Sequence, residues 1–306
     1  MKIPGLATAL VAFLALSVPA SSHASVIGTF DRTLTVTRPV DLEVLAHSGD
    51  ITVRSGGSGA VTIHATIHAG NSWLAGAHDR EVEELKQNPP IRQSGNDIRI
   101  EYVELHNVSV DYEITVPAET ALHAKTGSGN QVVEGLQGDI NLESGSGDMR
   151  LSRLTGTMHF HTGSGNVRAE HLSGPIYSRA GSGDLEFEES ASGDADLETG
   201  SGNIHLKGLV GGLRARAGSG DITIDGSPKD SWSIETGSGN VHLRLPPEAA
   251  FDVNLSTNSG DATVNHPVVT TIQGKVQDGQ KSVSGKVRGG GPLLSVRTGS
   301  GDVTVN

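Results

Sequence analysis

Residues 125–187 read KTGSGNQVVEGLQGDINLESGSGDMRLSRLTGTMHFHTGSGNVRAEHLSGPIYSRAGSGDLEF. GSGN or GSGD occurs in this stretch at 127–130, 145–148, 163–166 and 181–184, and returns at 200–203, 218–221, 237–240 and 299–302. NSGD at 258–261 and HSGD at 47–50 are close variants. The residues that end successive turns are Asn130, Asp148, Asn166, Asp184, Asn203, Asp221, Asn240 and Asp261, at intervals of 18, 18, 18, 19, 18, 19 and 21. Asp302 follows after a step of 41, about two units. Self-similarity at a fixed period is the signature of a repeat architecture.

Each unit reads as two short strands. Apolar residues sit one and three places after the turn, as in Met149/Leu151, Leu185/Phe187, Ile204/Leu206, Ile222/Ile224, Val241/Leu243 and Val303/Val305; Gln131 departs from this pattern. A second alternating pair precedes the next turn, as in Ile140/Leu142, Met158/Phe160, Ala195/Leu197, Trp232/Ile234, Val253/Leu255 and Leu294/Val296. Period two with one apolar face means half-buried strands. A small residue follows two places on (Ser144, Thr162, Ala180, Thr199, Ala217, Thr236, Thr257, Thr298), predicted to face inward where the chain narrows into the turn. Two five-residue strands in sheets about 10 Å apart need a perimeter near 53 Å, and eighteen extended residues reach roughly 60 Å. One unit is therefore predicted to be one coil of an all-β, single-chain β-solenoid (β-helix), with coils of about 18 residues stacked about 4.8 Å apart. The glycines serve corners that need positive φ or close backbone approach.

Two side-chain columns support the stacking. Just before each inward small residue stand Glu143, His161, Arg179, Glu198, Arg216 and Glu235, so most neighbours in a stacked ladder are complementary. The turn column alternates Asn and Asp from Asn130 to Asp261, and Asp302 belongs to the same turn type. Stacked carboxylates would repel, and interleaved Asn amides separate them and can donate hydrogen bonds to them.

Composition agrees with a repeat and excludes several functions. Glycine numbers 41 in 306 residues while aromatics are 3%, which disfavours an aromatic-rich globular core. Cysteine is absent, so disulfides, thiolate metal sites and cysteine nucleophiles are excluded. A net charge of −12 argues against nucleic acid as partner. Lys2, an apolar run from Leu6 to Leu16, Pro19 and the small residues of Ser22-His23-Ala24 predict a signal peptide over 1–24, removed on export. That run is too short to span a bilayer, so an integral membrane protein is not expected. Residues 119–306 carry the regular repeats; 25–118 fit less well and are predicted to form irregular first coils and a cap, with a short helix from about Ala77 to Gln87 burying Val82 and Leu85 before Pro89-Pro90. Val305-Asn306 directly follows a strand, which predicts a poorly capped end open to self-association unless residues 265–292 fold over it.

The signal peptide, SGDITV at 48–53, EITVPAETALHAKTGSGN at 113–130, the serial TGSGN/AGSGD turns and GGGPLLSVRTGSGDVTV at 289–305 together resemble the bacterial exported putative-adhesin β-strand-repeat family, a domain of unknown function. The resemblance covers nearly the whole mature chain. It implies a β-solenoid in the periplasm, at the cell envelope or outside the cell, and supplies no catalytic residues.

Calcium is the sharpest metal candidate, at Asp148, Asp184, Asp221 and Asp261, but one glycine turn per coil with neutral Asn at every second position is poor in the carboxylates it prefers. His159 and His161 face outward beside Asn141/Glu143 and Tyr177/Arg179, a polar face unlike a zinc site, and His205 and His242 lie two coils apart. A glycosidase would need two carboxylates about 5–9.5 Å apart. Glu186, Glu188, Glu189, Asp194, Asp196 and Glu198 are candidates, but no insertion marks a cleft around them. The expectation is a surface or polymer-binding module without cofactor or catalysis; a calcium-stabilised repeat and a carbohydrate-active β-helix enzyme are the alternatives.

Overall fold

The computed structural model describes residues 25–57, 59–69, 79–105, 107–189, 193–266, 269–277 and 280–306; the signal segment 1–24 lies outside them. The chain is all-β apart from a helix at Asp79–Gln87, the only one among the described residues. Strands stack into two faces around one apolar core, and nearly all neighbours in the middle of the stack run parallel.

In the front sheet Ile140 pairs with Met158, Met158 with Ile176, Ile176 with Ala195 and Ala195 with Leu213, steps of one sequence unit each. In the back sheet Gln131, Met149, Val167, Leu185, Ile204, Ile222 and Val241 stack in the same way. The register follows from the period-two pattern, because a slip of one residue would turn every apolar side chain outward. Leu142, Leu197, Ile234, Leu206 and Ile224 are fully buried. The small column does face inward: Thr162, Thr199, Thr257 and Thr298 are at most 2% exposed. Thr199 donates its hydroxyl to the Gly183 carbonyl at 2.9 Å, and Thr236 and Thr298 do the same to Gly220 and Gly239 at 3.0 Å. Gln131 is buried too, with its amide donating to the Glu143 carbonyl.

The GSG turns form one corner. A Cβ at Gly165 or Gly183 would run into the carbonyl of the corresponding glycine one coil below, so these positions admit no side chain. The opposite corner is a second repeat that the sequence reading passed over. Leu136, Leu154, Leu172 and Leu209 plug it from inside, all fully buried. The residue before each (Gly135, Arg153, His171, Gly208) has φ between 54° and 76°.

The two ends are built differently from the middle. The coil of Val40–Ser48 and Ile51–Ser55 lies directly below Thr120–Ser128 and Gln131–Glu134, and the strands Asp97–Ile100 and Val108–Val116 lie below that coil. Antiparallel strands finish this end: Ile91–Ser94 in the front sheet, Ala60–Ala69 and Ser25–Thr35 in the back. The helix packs on Ser25–Thr35 with Val82 beside Gly28, Leu85 is buried as well, and Arg32 donates to the carbonyls of Lys86 and Gln87.

At the other end two expectations are corrected. Leu293–Ser300 and Val303–Val305 do not follow Phe251–Ser259 and Ala262–Val264 in the stack; they lie between that coil and the coil of Ile222–Ser238 and Val241–Arg244. The strands before Asn306 are thus paired on both sides and are not an open end. A hairpin of Val269–Gln277 and Gln280–Val287 continues the front sheet antiparallel to Phe251–Ser259, so the segment 265–292 supplies the end strands.

Candidate functional site

Period two sends alternate residues of each front-sheet strand outward, and parallel stacking lines them up along the axis. One outward column reads, in spatial order, Lys125, Glu143, His161, Arg179, Glu198, Arg216, Glu235 and Arg297. The sequence placed Glu143 to Glu235 in it; Lys125 extends it at one end, and Arg297 joins it because its coil is inserted out of order. Lys125 and Glu143 pair at 2.8 Å, Arg216 and Glu235 at 3.4 Å, and Arg179 and Glu198 at 3.6 Å. The hydrogen bond from Lys125 holds the Glu143 carboxyl below the usual carboxylate range and raises the lysine in turn. Arg297 is exposed and makes no ion pair among the described residues.

The neighbouring outward column carries His123, Asn141, His159, Tyr177, Asp196 and Arg214. The rings of His159 and Tyr177 stack at 4.7 Å with 9° between their planes. Tyr177 is 43% exposed. Glu143, His159, His161 and Tyr177 help line a hollow of about 360 Å³.

Beside the charged column the chain enters the GSG corner, where glycines leave the surface without side chains. The result is a groove of about 740 Å³ along the stack. Its floor includes Gly181, Gly200, Gly218, Gly237 and Gly299, and Arg179, Glu198, Arg216, Glu235 and Arg297 line it. His161 and Arg179 also border the smaller hollow, so the two depressions share a wall.

The turn column adjoins this groove and is tied by hydrogen bonds. The backbone N–H of each residue donates to the side-chain Oδ1 of the residue below: Asp148 to Asn130 at 3.2 Å, Asn166 to Asp148 at 2.9 Å, and Asp184 to Asn166 at 3.0 Å. The series continues through Asn203, Asp221 and Asn240. Either side chain supplies the acceptor, but only Asn adds a donor, and the Asn166 amide reaches Asp148 at 3.2 Å. The order at the far end is corrected: Asp302 donates to Asn240 and Asp261 donates to Asp302, so Asp302 precedes Asp261 in the stack. Two residues outside the anticipated ladder extend it below Asn130, with Asn130 donating to Asp50 and Asp50 to Asp111. HSGD at 47–50 was the signal for Asp50; Asp111 had none, since no glycine turn precedes it. Each end thus sets two acids side by side beside a basic group, His68 at 2.8 Å from Asp111 and Lys281 on Asp261.

The calcium candidates Asp148, Asp184, Asp221 and Asp261 stand in this column separated by Asn240, Asn203, Asn166 or Asp302 rather than converging. No group of three or more metal-binding side chains gathers among the described residues. His159 and His161 lie beside Asn141/Glu143 and Tyr177/Arg179, and His205 and His242 are separated by the coil of Thr223. The acidic candidates are dispersed over both sheets: Glu186 pairs with Arg168 on the back, Glu198 with Arg179 on the front, and Asp194 accepts from the Gly212 amide. The side chain of Glu189 lies outside the described residues. No helix among the described residues is long and apolar enough to cross a membrane.

Similar solved structures include a putative adhesin from Bacteroides fragilis, 15% identical, covering 92% of this chain and 98% of that one with a TM-score of 0.45. A putative adhesin from Parabacteroides distasonis is 12% identical over 91% of this chain and 97% of its own, with a TM-score of 0.35. A putative cell adhesion protein from Clostridium sporogenes is 10% identical over 91% and 99%, with a TM-score of 0.24. No curated protein matches the chain. The family model of Toastrack DUF4097 matches residues 40–306, and the chain belongs to that family.

Proposed function

We propose that this protein is an exported β-solenoid with coils of about 18 residues that acts at the cell envelope or surface as an adhesin-like binding module, without catalysis. One observation carries the reading: the front face presents a continuous groove whose charged wall repeats with the coils, from His161 to Arg297. A repeating surface meets a repeating partner at many equivalent points, and many weak contacts then sum to useful avidity. The apolar run at 6–16 and Ser22-His23-Ala24 support export. The names of the similar structures agree with a surface role for those proteins. Glu186 and Glu198 stand on opposite sheets as partners of Arg168 and Arg179, which supports binding over hydrolysis.

The test is to pass the purified protein over immobilised polysaccharides and whole bacterial envelopes, and to assay each retained polymer for chain shortening. Retention without shortening is expected. Retention with new reducing ends would make the protein an enzyme, and no retention on any surface would end the adhesin reading.

A further inference from the structure

We propose that the front-sheet groove binds a linear acidic glycan, laid along the stacking axis, with its carboxylates at Arg179, Arg216 and Arg297. The proposal rests on the surface-binding reading above and names its ligand class. Glu198 separates Arg179 from Arg216, and Glu235 separates Arg216 from Arg297. The three arginines therefore recur every second coil, about 10 Å apart. A glycan with one acidic sugar per disaccharide offers carboxylates at much the same interval. Guanidinium groups donate to them bidentately, and the intervening Glu198 and Glu235 can accept hydrogen bonds from the hydroxyls of the neutral sugars.

The arginines are available. Arg297 has no ionic partner among the described residues, and the pairs at Arg179 and Arg216 are 3.6 and 3.4 Å apart between side chains that are 43–70% exposed. Exposed pairs of that length contribute little and are readily exchanged. Tyr177, 43% exposed, lies outside the groove and lines the smaller hollow that shares His161 and Arg179 with it.

Other polymers fit less well. A nucleic acid would bring a phosphate to Glu198 and Glu235 as often as to the arginines. An extended peptide gains affinity by pairing with free backbone, but on the glycine floor much of it is already engaged. Gly181 and Gly200 already donate to the carbonyls of Thr162 and Ala180, and the Gly163 and Gly200 carbonyls accept from Ser182 and Ser219.

The experiment is calorimetric titration of the purified protein with hyaluronan tetra-, hexa- and octasaccharides, which carry one glucuronate per disaccharide. Chitohexaose serves as the neutral control and oligoglutamate as the acidic peptide control. The hexasaccharide, with three carboxylates, should bind about tenfold tighter than the tetrasaccharide, with little further gain at the octasaccharide. Binding should weaken with salt. Arg216→Gln and Arg297→Gln should each weaken the hexasaccharide about tenfold; Glu235→Gln, which keeps an oxygen acceptor for sugar hydroxyls but frees Arg216 from its ion pair, should tighten it, and Arg168→Gln on the back sheet should leave it unchanged. Equal binding of chitohexaose or oligoglutamate, equal loss in Arg168→Gln, or no binding of any hyaluronan oligomer would overturn the proposal. In the last case, retention on bacterial envelopes would leave the surface-binding reading standing; its loss as well would remove both.

Discussion

Between residues 120 and 243 the order of coils in space is the order in the chain, whereas at both ends it is shuffled. Val40–Ser55 sits between the 97–116 segment and the 120–134 coil, and 293–305 sits between the 222–243 and 251–264 coils. The same contacts nevertheless continue across these junctions. Asp302 donates to Asn240 at 2.9 Å across 62 positions, and Asn166 donates to Asp148 at 2.9 Å across 18. The ladder therefore recognises a coil by its pattern of inward apolar residues, corner glycine and Asx side chain, and is indifferent to how far away that coil lies in the sequence.

The comparison is sharpest in the core. Leu142 lies in the sequential middle and Leu294 in the inserted coil, and both are fully buried. Leu142→Ala and Leu294→Ala should each cost about 2–5 kcal/mol in denaturant unfolding. A much smaller cost at Leu294 would mean that the inserted coil opens independently of the rest. Next come the corners. Gly183→Ala and Gly301→Ala both push a Cβ into the carbonyl of the glycine below, and Gly301 also has φ of +140°. Overpacking of this kind costs roughly 1–3 kcal/mol, with the larger loss expected at Gly301. Equal melting temperatures for both variants and the parent would contradict the close stacking.

The turn ladder predicts opposite signs in the two regions. Asn166→Asp in the middle adds a carboxylate between Asp148 and Asp184, and should destabilise by a few tenths to about 1 kcal/mol. Asp302→Asn at the end keeps the Oδ1 acceptor for Asp261 and removes a like-charge neighbour, and should be neutral or slightly stabilising. Both effects should shrink in high salt, and a salt-independent pair would exclude an electrostatic cause. The smallest effect is that of pH. Because Lys125 holds Glu143 below its ordinary value, the stabilisation is present above the usual carboxylate pKa of about 4.3 and is lost as pH falls through the lowered value. Lys125→Gln should flatten the acid limb of the stability–pH curve, and an unchanged limb would remove this pair as its source.

The middle coils were legible because every feature they need is local: apolar residues at fixed offsets, a glycine corner and a small inward residue. The second corner was harder to see, since Arg153 and His171 occupy left-handed positions that Gly135 and Gly208 fill elsewhere, so no constant glycine marks it. The helix was legible from Val82, Leu85 and the following prolines; it is seen over Asp79–Gln87, and Ala77, its expected start, lies outside the described residues. The position of Asp302 was not legible. A step of 41 residues to the next turn is equally compatible with two sequential coils and with an excursion that returns, and only the pairing of Leu294 with Trp232 and of Leu294 with Val253 decides between them. The charged column was read correctly from Glu143 to Glu235, yet its extension to Arg297, and with it the length of the groove, depends on that same insertion.

The insertion of 293–305 also has a bearing on synthesis, where a chain emerges from one end. Until those residues arrive, the surfaces of the 222–243 and 251–264 coils that will contact them lack their final neighbour. A chain broken off before Leu293 would miss an interior layer rather than an outer one, leaving Trp232 without Leu294 against it in the front sheet and Val241 without Val303 in the back. Such a chain would expose apolar surface in the middle of its stack, which is what proteases and chaperones detect. The stacking order thus makes strands late in the chain an inner layer of the stack.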